Sequence, residues 1–107
     1  MLSYQHLYHA GNLADVQKHA VLAWVLDYLT RKDKPLSYIE THAGRGVYDL
    51  GAEAALKTGE AAAGIALAER LFPPEHPYRQ RLEETRAGYG AQAYPGSPLI
   101  AALGLRE

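Results

Sequence analysis

The side chains able to do chemistry lie mostly in the first half of this 107-residue sequence. The most specific local pattern is Glu40-x-x-x-Gly44-x-Gly46, with His42 inside it, at the exit of a short β-branched and aromatic run. Glycines there permit a tight turn and close approach of backbone to a ligand. Backbone N–H groups face the crevice beyond a strand end, so a carboxylate or phosphate would fit. The pattern lacks the third glycine of a dinucleotide fingerprint and the Lys-Ser/Thr of a phosphate-binding loop, which disfavours both. Taken alone it also reads as an ordinary turn. Asp15, Lys18 and His19 share a face near the start of a helical run, where a lysine is ordinarily a solvated charge and a lone histidine a bystander. His6, His9, His19 and His42 together invite a metal reading. However, His6-x-x-His9 lies in an extended arm, and no carboxylate is placed to complete a tetrahedral set, so no metal site is expected. Towards the other end, Ser97-Pro98 reads as an N-cap serine followed by a first-position proline. A helix start offers unpaired N–H groups and partial positive charge to a carboxylate, worth roughly 0.3 to 1 kcal/mol when exposed.

The elements that must hold these residues follow from breakers and caps. Residues 1–11 mix aromatics and histidines without a period and read as an extended arm. Asn12 looks like a cap for a helix of about five turns that runs from Leu13 to the Asp33-Lys34-Pro35 break, with Asp15 in its first turn. The second half of that helix is apolar nearly all round except Asp27, which predicts burial on more than one side. Residues 36–41 read as a strand ending in the glycine loop, and 47–56 as irregular. Thr58 is expected to cap an Ala-rich helix over 59–71, stopped by Phe72-Pro73-Pro74. Further helices are expected over 77–87 and 99–105. One strand with a glycine-rich exit followed by helices implies a parallel sheet whose partner strands are missing, and so the N-terminal part of a larger α/β domain.

Composition narrows the function classes. With 48% hydrophobic and 21% charged residues, the chain has the make-up of one soluble globular domain, not of a disordered segment. There is no apolar run of the roughly 18 residues a membrane span needs, and no secretory signal pattern, so a cytoplasmic location is expected. The absence of cysteine excludes disulfides, thiolate metal sites and a cysteine nucleophile. A formal net charge of −1 argues against a strongly electrostatic nucleic-acid binder, though not against a local basic groove. The histidine-rich first 48 residues carry five basic against four acidic side chains, the remainder six against eight.

Several spaced motifs resemble one family. His9-Ala10-Gly11-Asn12, Asp15, Lys18-His19, Thr41-His42-Ala43-Gly44-x-Gly46, Thr58-Gly59-Glu60 and Tyr94-Pro95-Gly96-Ser97-Pro98-Leu99-Ile100 look like the start of the RlmJ-type methyltransferases. The resemblance implies transfer of a methyl group from S-adenosylmethionine to the exocyclic N6 amine of an adenine in 23S ribosomal RNA. It implies an α/β fold, the N-terminal portion of a Rossmann-like class I methyltransferase with an inserted helical subdomain, seen here as mostly helix with one strand. Residues 1–107 would then form part of one domain: 1–12 a mobile arm, 13–32 a helix, 36–50 the first strand and cofactor loop, 51–94 a helical insertion and 95–107 the helix after it. Carried over by position, cofactor contacts fall on His19, His42, Gly44, Gly46 and Ser97, and contacts to the substrate RNA on Tyr4, His6 and Lys18.

Methylating an adenine amine requires the base to be flipped out and a proton to be accepted. The Asp/Asn-Pro-Pro-aromatic loop that such enzymes use is absent: the one Pro-Pro pair stands in Phe72-Pro73-Pro74-Glu75. No catalytic residue is therefore expected in this chain, the proton-accepting Asp being placed past Glu107, and the isolated chain is expected to be inactive. Self-association through an open sheet edge is expected of a truncated sheet. The competing reading is a non-catalytic helical module that binds RNA or protein.

Overall fold

Asn12 accepts the Asp15 N–H at 2.8 Å with its side-chain oxygen and so begins α1 (Leu13–Thr30), the longest element. The structure is a computed structural model and describes residues 5–41 and 44–105. A single 3-10 turn (His6–Tyr8) precedes α1. After it come β1 (Val47–Asp49), α2 (Glu53–Thr58), α3 (Glu60–Ala63), α4 (Ile65–Ala68) and a second 3-10 turn (Glu69–Leu71). The chain ends in α5 (Pro77–Tyr89), β2 (Ala93–Pro95) and α6 (Ser97–Gly104). Among the described residues the architecture is mostly helical, with one two-stranded sheet.

That sheet is antiparallel, with Val47 opposite Pro95, Tyr48 opposite Tyr94 and Asp49 opposite Ala93. Bonds from Leu50 N to Gln92 O and from Gly96 N to Gly46 O, both 2.8 Å, continue it at either end. It was not expected from the sequence, which gave 47–56 as irregular. Conversely, residues 36–41, expected as the first strand, form no regular element and have no ladder partner among the described residues, because a strand exists only where a neighbour supplies N–H and C=O groups.

α5 starts on His76, whose Nδ1 accepts the Tyr78 N–H at 3.1 Å, with Pro77 in its first turn. Tyr78, Leu82 and Thr85 recur at helical spacing and are fully buried. They join Val16 and Ala23 of α1, Tyr48, Tyr94, Ile65 and Ile100 in the core. The single Ala-rich helix expected over 59–71 is instead broken into short pieces at Gly59 and Gly64, glycine being a poor helix former. Ile65 N donates to Gly11 O at 2.8 Å, so the break is where this segment crosses the N-terminal turn. Thr58 does not open the next helix. It closes α2, Gly59 being the cap of α3; its hydroxyl donates to Tyr8 O at 2.6 Å and accepts the Glu60 N–H, the first of α3, at 3.4 Å.

Two further expectations change. Residues 6–12 of the expected mobile arm are turned and tethered: His6 Nε2 lies 2.6 Å from Asp15 Oδ2, and His9 Nδ1 lies 2.7 Å from Glu60 Oε2. The two histidines thus engage different carboxylates on different helices. The second half of α1 is buried mainly on one side, through Ala23 and Leu26, because α5 and α6 pack on α1, while residues 38–41 approach another side only across an open groove beside Val21 and Val25.

Candidate functional site

The N-terminal half of α1, the glycine loop and the start of α6 enclose a cavity of about 640 Å³. Its lining includes His6, Lys18, His19, Gly44 and Ser97, five of the residues singled out by sequence, together with Asp15, Arg45, Tyr48 and Gly96. That volume falls in the ~300–1,000 Å³ range of small-molecule sites. Gly46 does not line it. Its carbonyl accepts the Gly96 N–H, which ties the loop to the start of α6. Tyr4 and His42 lie outside the described residues. A second groove, about 470 Å³, lies on the other side of Lys18 and Ser97 and is walled by Val21, Val25 and residues 38–41. There the Tyr38 hydroxyl donates to Glu40, and burial, then Glu40, pushes that phenol above its ordinary range.

His19 faces the first cavity while only 2% exposed. Its Nδ1 is 2.8 Å from the Tyr94 hydroxyl, which is 2.8 Å from the Tyr78 hydroxyl, a buried chain of three polar groups joining α1, β2 and α5. Burial lowers the imidazole from 6.5 to about 4 against the opposing pull of Asp15, so at neutral pH His19 is an uncharged donor and acceptor held in one orientation. Burial likewise pushes the Tyr78 and Tyr94 phenols up, keeping both protonated.

Asp15 is buried, its Oδ2 accepting the Gly11 N–H at 3.0 Å and meeting His6 at 2.6 Å. It therefore anchors the turn beneath the cavity. The loop has its own constraints. Gly44 sits at φ +68°, a backbone conformation that disfavours other residues. A Cβ added at Gly96 would stand 2.0 Å from Arg45 O, so the loop and the start of α6 touch backbone to backbone. Ser97, expected as the N-cap of the last helix, is instead its first residue. Gly96 is the cap and no side chain caps the helix, because the extended turn is made one residue earlier, where only glycine fits. Ser97 is buried at the cavity wall, beside first-turn N–H groups that have no intrahelical acceptor.

A family described as Ribosomal RNA large subunit methyltransferase D, RlmJ, matches residues 33–107. The chain belongs to this family. It is 47% identical over 110 residues to Ribosomal RNA large subunit methyltransferase J of Escherichia coli (strain K12), a match that takes in the whole of this chain and 39% of the relative. It is 44% identical over 111 residues to the protein of the same name in Haemophilus influenzae (strain ATCC 51907), covering all of this chain and 40% of that one. The fold matches a crystal structure of a protein from Legionella pneumophila (strain Philadelphia 1) with a TM-score of 0.68 and 39% identity, over 92% of this chain and 37% of that one. The chain thus spans about two fifths of the length of the relatives it matches.

Of the RlmJ family motifs in this sequence, those at residues 15, 18–19, 44 and 96–97 line one cavity, together with His6. Tyr48, Arg45 and the buried Tyr78–Tyr94 pair were not singled out as site residues: the Arg45–Tyr48 bond is local but follows no recognised pattern, and Tyr94 meets His19 and Tyr78 from far along the chain. The Tyr at the head of Tyr94-Pro95-Gly96-Ser97 was the nearest available clue.

Proposed function

We propose that this chain supplies the N-terminal, cofactor-facing portion of a Rossmann-like methyltransferase that modifies the N6 amine of an adenine in 23S ribosomal RNA. The observation that carries the reading is that one cavity is lined both by residues matched to the cofactor (His19, Gly44, Ser97) and by residues matched to the RNA (His6, Lys18). Donor and acceptor would then meet between the α1 face and the glycine loop. The residues fit S-adenosylmethionine. The cavity has the right order of size, Gly44 is held at positive φ where a side chain would press on Tyr48, and the α6 start presents amides to a carboxylate. When bound, that cofactor supplies an electrophilic methyl group on a sulfonium.

The chain's own residues do the rest. A neutral His19 gives a polar wall without adding positive charge beside a cation. Lys18, exposed at the rim, offers charge to an RNA phosphate, and His6, held by Asp15, is positioned at the entrance. Tyr4 and His42 complete the expected set, Tyr4 as an aromatic on which a splayed base stacks. In this reading the proton leaving the amine needs an Asp/Asn-Pro-Pro-aromatic loop, a pattern these 107 residues do not carry, and the chain alone turns over no RNA. Action on ribosomal RNA is in keeping with the cytoplasm, and no helix of the described residues is long and apolar enough to cross a membrane.

The test is an amide ¹⁵N spectrum of the chain titrated with S-adenosylhomocysteine. Shifts confined to Gly44, Gly46, His19 and Ser97 are expected. A dispersed spectrum indifferent to the ligand sinks the cofactor reading, and methyl transfer to 23S RNA by the chain alone sinks the inactivity claim.

A further inference from the structure

Tyr48 belongs to none of the motifs, yet it touches both walls of the cavity. It is 4% exposed and stands directly opposite Tyr94 in the sheet. Its hydroxyl accepts the Arg45 N–H at 3.0 Å, and a Cβ built on Gly44 would fall 2.8 Å from the same oxygen. Its ring meets the His6 ring edge-on, with centroids 5.4 Å apart and planes at 66°. The glycine loop is therefore pinned at two points, at Arg45 N by Tyr48 and at Gly46 O by Gly96 N. The first pin belongs to a residue that also backs the ring at the RNA-matched entrance.

A buried phenol ordinarily finds a partner for its hydroxyl. Tyr94 finds two side chains in the core, whereas Tyr48 finds a loop amide at an exposed residue. That amide would be satisfied by water if the phenol were absent, so the bond adds little to stability and chiefly selects where the loop sits.

We infer that Tyr48 is a positioning residue of the methyl-transfer site, its hydroxyl fixing the Gly44–Gly46 loop and its ring fixing His6, so that the two walls keep one separation. The inference rests on the reading of the cavity given above.

The test uses Tyr48→Phe and Tyr48→Leu in the full chain, followed by NMR and by titration with S-adenosylhomocysteine. Tyr48→Phe is expected to move the Arg45 amide resonance and speed its exchange, while the His6 ring signals and the unfolding midpoint stay close to the parent. Affinity should fall roughly threefold to tenfold, the effect of one hydrogen bond. Tyr48→Leu should move the His6 signals as well. An unmoved Arg45 amide in Tyr48→Phe overturns the inference, and so does a moved amide with unchanged affinity. If the parent chain binds no S-adenosylhomocysteine, the cofactor reading fails by itself, and the Arg45 and His6 signals still decide whether Tyr48 sets the loop and the ring.

Discussion

The two halves of α1 invert the usual rule of what is buried. In its first half Asp15 and His19 are 4% and 2% exposed, whereas in its second half Val21, Trp24 and Tyr28 are 57%, 54% and 47% exposed. Polar side chains go inside when partners are waiting. Asp15 has the Gly11 N–H and His6, and His19 has Tyr94. Apolar side chains stay outside when no element reaches them, and here Trp24 and Tyr28 stack on one another at 5.8 Å with Lys32 Nζ 5.0 Å from the Tyr28 ring. The first half is therefore a built site in which small changes are costly. The second half keeps Ala23 and Leu26 buried, but its outer side, with Trp24 and Tyr28, is an open face that tolerates such changes.

The strongest way to break that contrast is at the contact between loop and α6. Gly96→Ala would place a methyl 2.0 Å from Arg45 O, and backbone must separate to admit it. A loss of at least about 3 kcal/mol is expected in urea unfolding, a large part of a small domain's total stability. A variant that unfolds with the parent's midpoint would show that the loop is not seated where described.

Acid is the next largest perturbation. The His19 folded value of about 4 lies below its ordinary 6.5, so the folded state takes up fewer protons than the unfolded chain between those limits. Its contribution is complete above pH 6.5 and is lost as pH falls towards 4, amounting to roughly 3 kcal/mol. Unfolding midpoints measured from pH 7 to 4 should decline in the parent more steeply than in His19→Gln. Equal slopes would mean that the imbalance between the two halves of α1 is not electrostatic. Smaller again is Tyr94→Phe, which removes the shared hydroxyl and leaves His19 and Tyr78 each short of a buried partner. About 2 kcal/mol is expected from calorimetry.

What the sequence revealed divides along the same line. α1 was legible because its start is local: Asn12, Asp15 and an unbroken run lie next to one another. α5 was legible through Pro77. The β1–β2 pairing was not, since two three-residue strands carry no period of their own and their register depends on partners far apart in sequence. Ser97 was placed one position out, because its Ser-Pro signature does not reveal that Gly96 alone fits against Arg45 O. For the site, the family motifs pointed to His6, Lys18, His19, Gly44 and Ser97. Tyr94, and Tyr48 where its ring meets His6, act through contacts that only the assembled fold creates.

The smallest expected effect sharpens the comparison from its other side. Trp24→Gln removes a half-exposed ring whose described aromatic contact is the parallel stack on Tyr28, with an interplanar angle of 9°. If the outer face of α1 meets solvent, the ring's removal loses one exposed stacking contact and leaves no cavity, so stability should change by less than about 0.5 kcal/mol. Sedimentation velocity on parent and variant reads the alternative directly. A parent that associates with rising concentration, and a Trp24→Gln variant that does not, would mean that a second copy covers this face. A loss above about 1.5 kcal/mol in a monomeric sample would mean that the ring is packed by this chain itself, and the second half of α1 would then obey the ordinary rule after all.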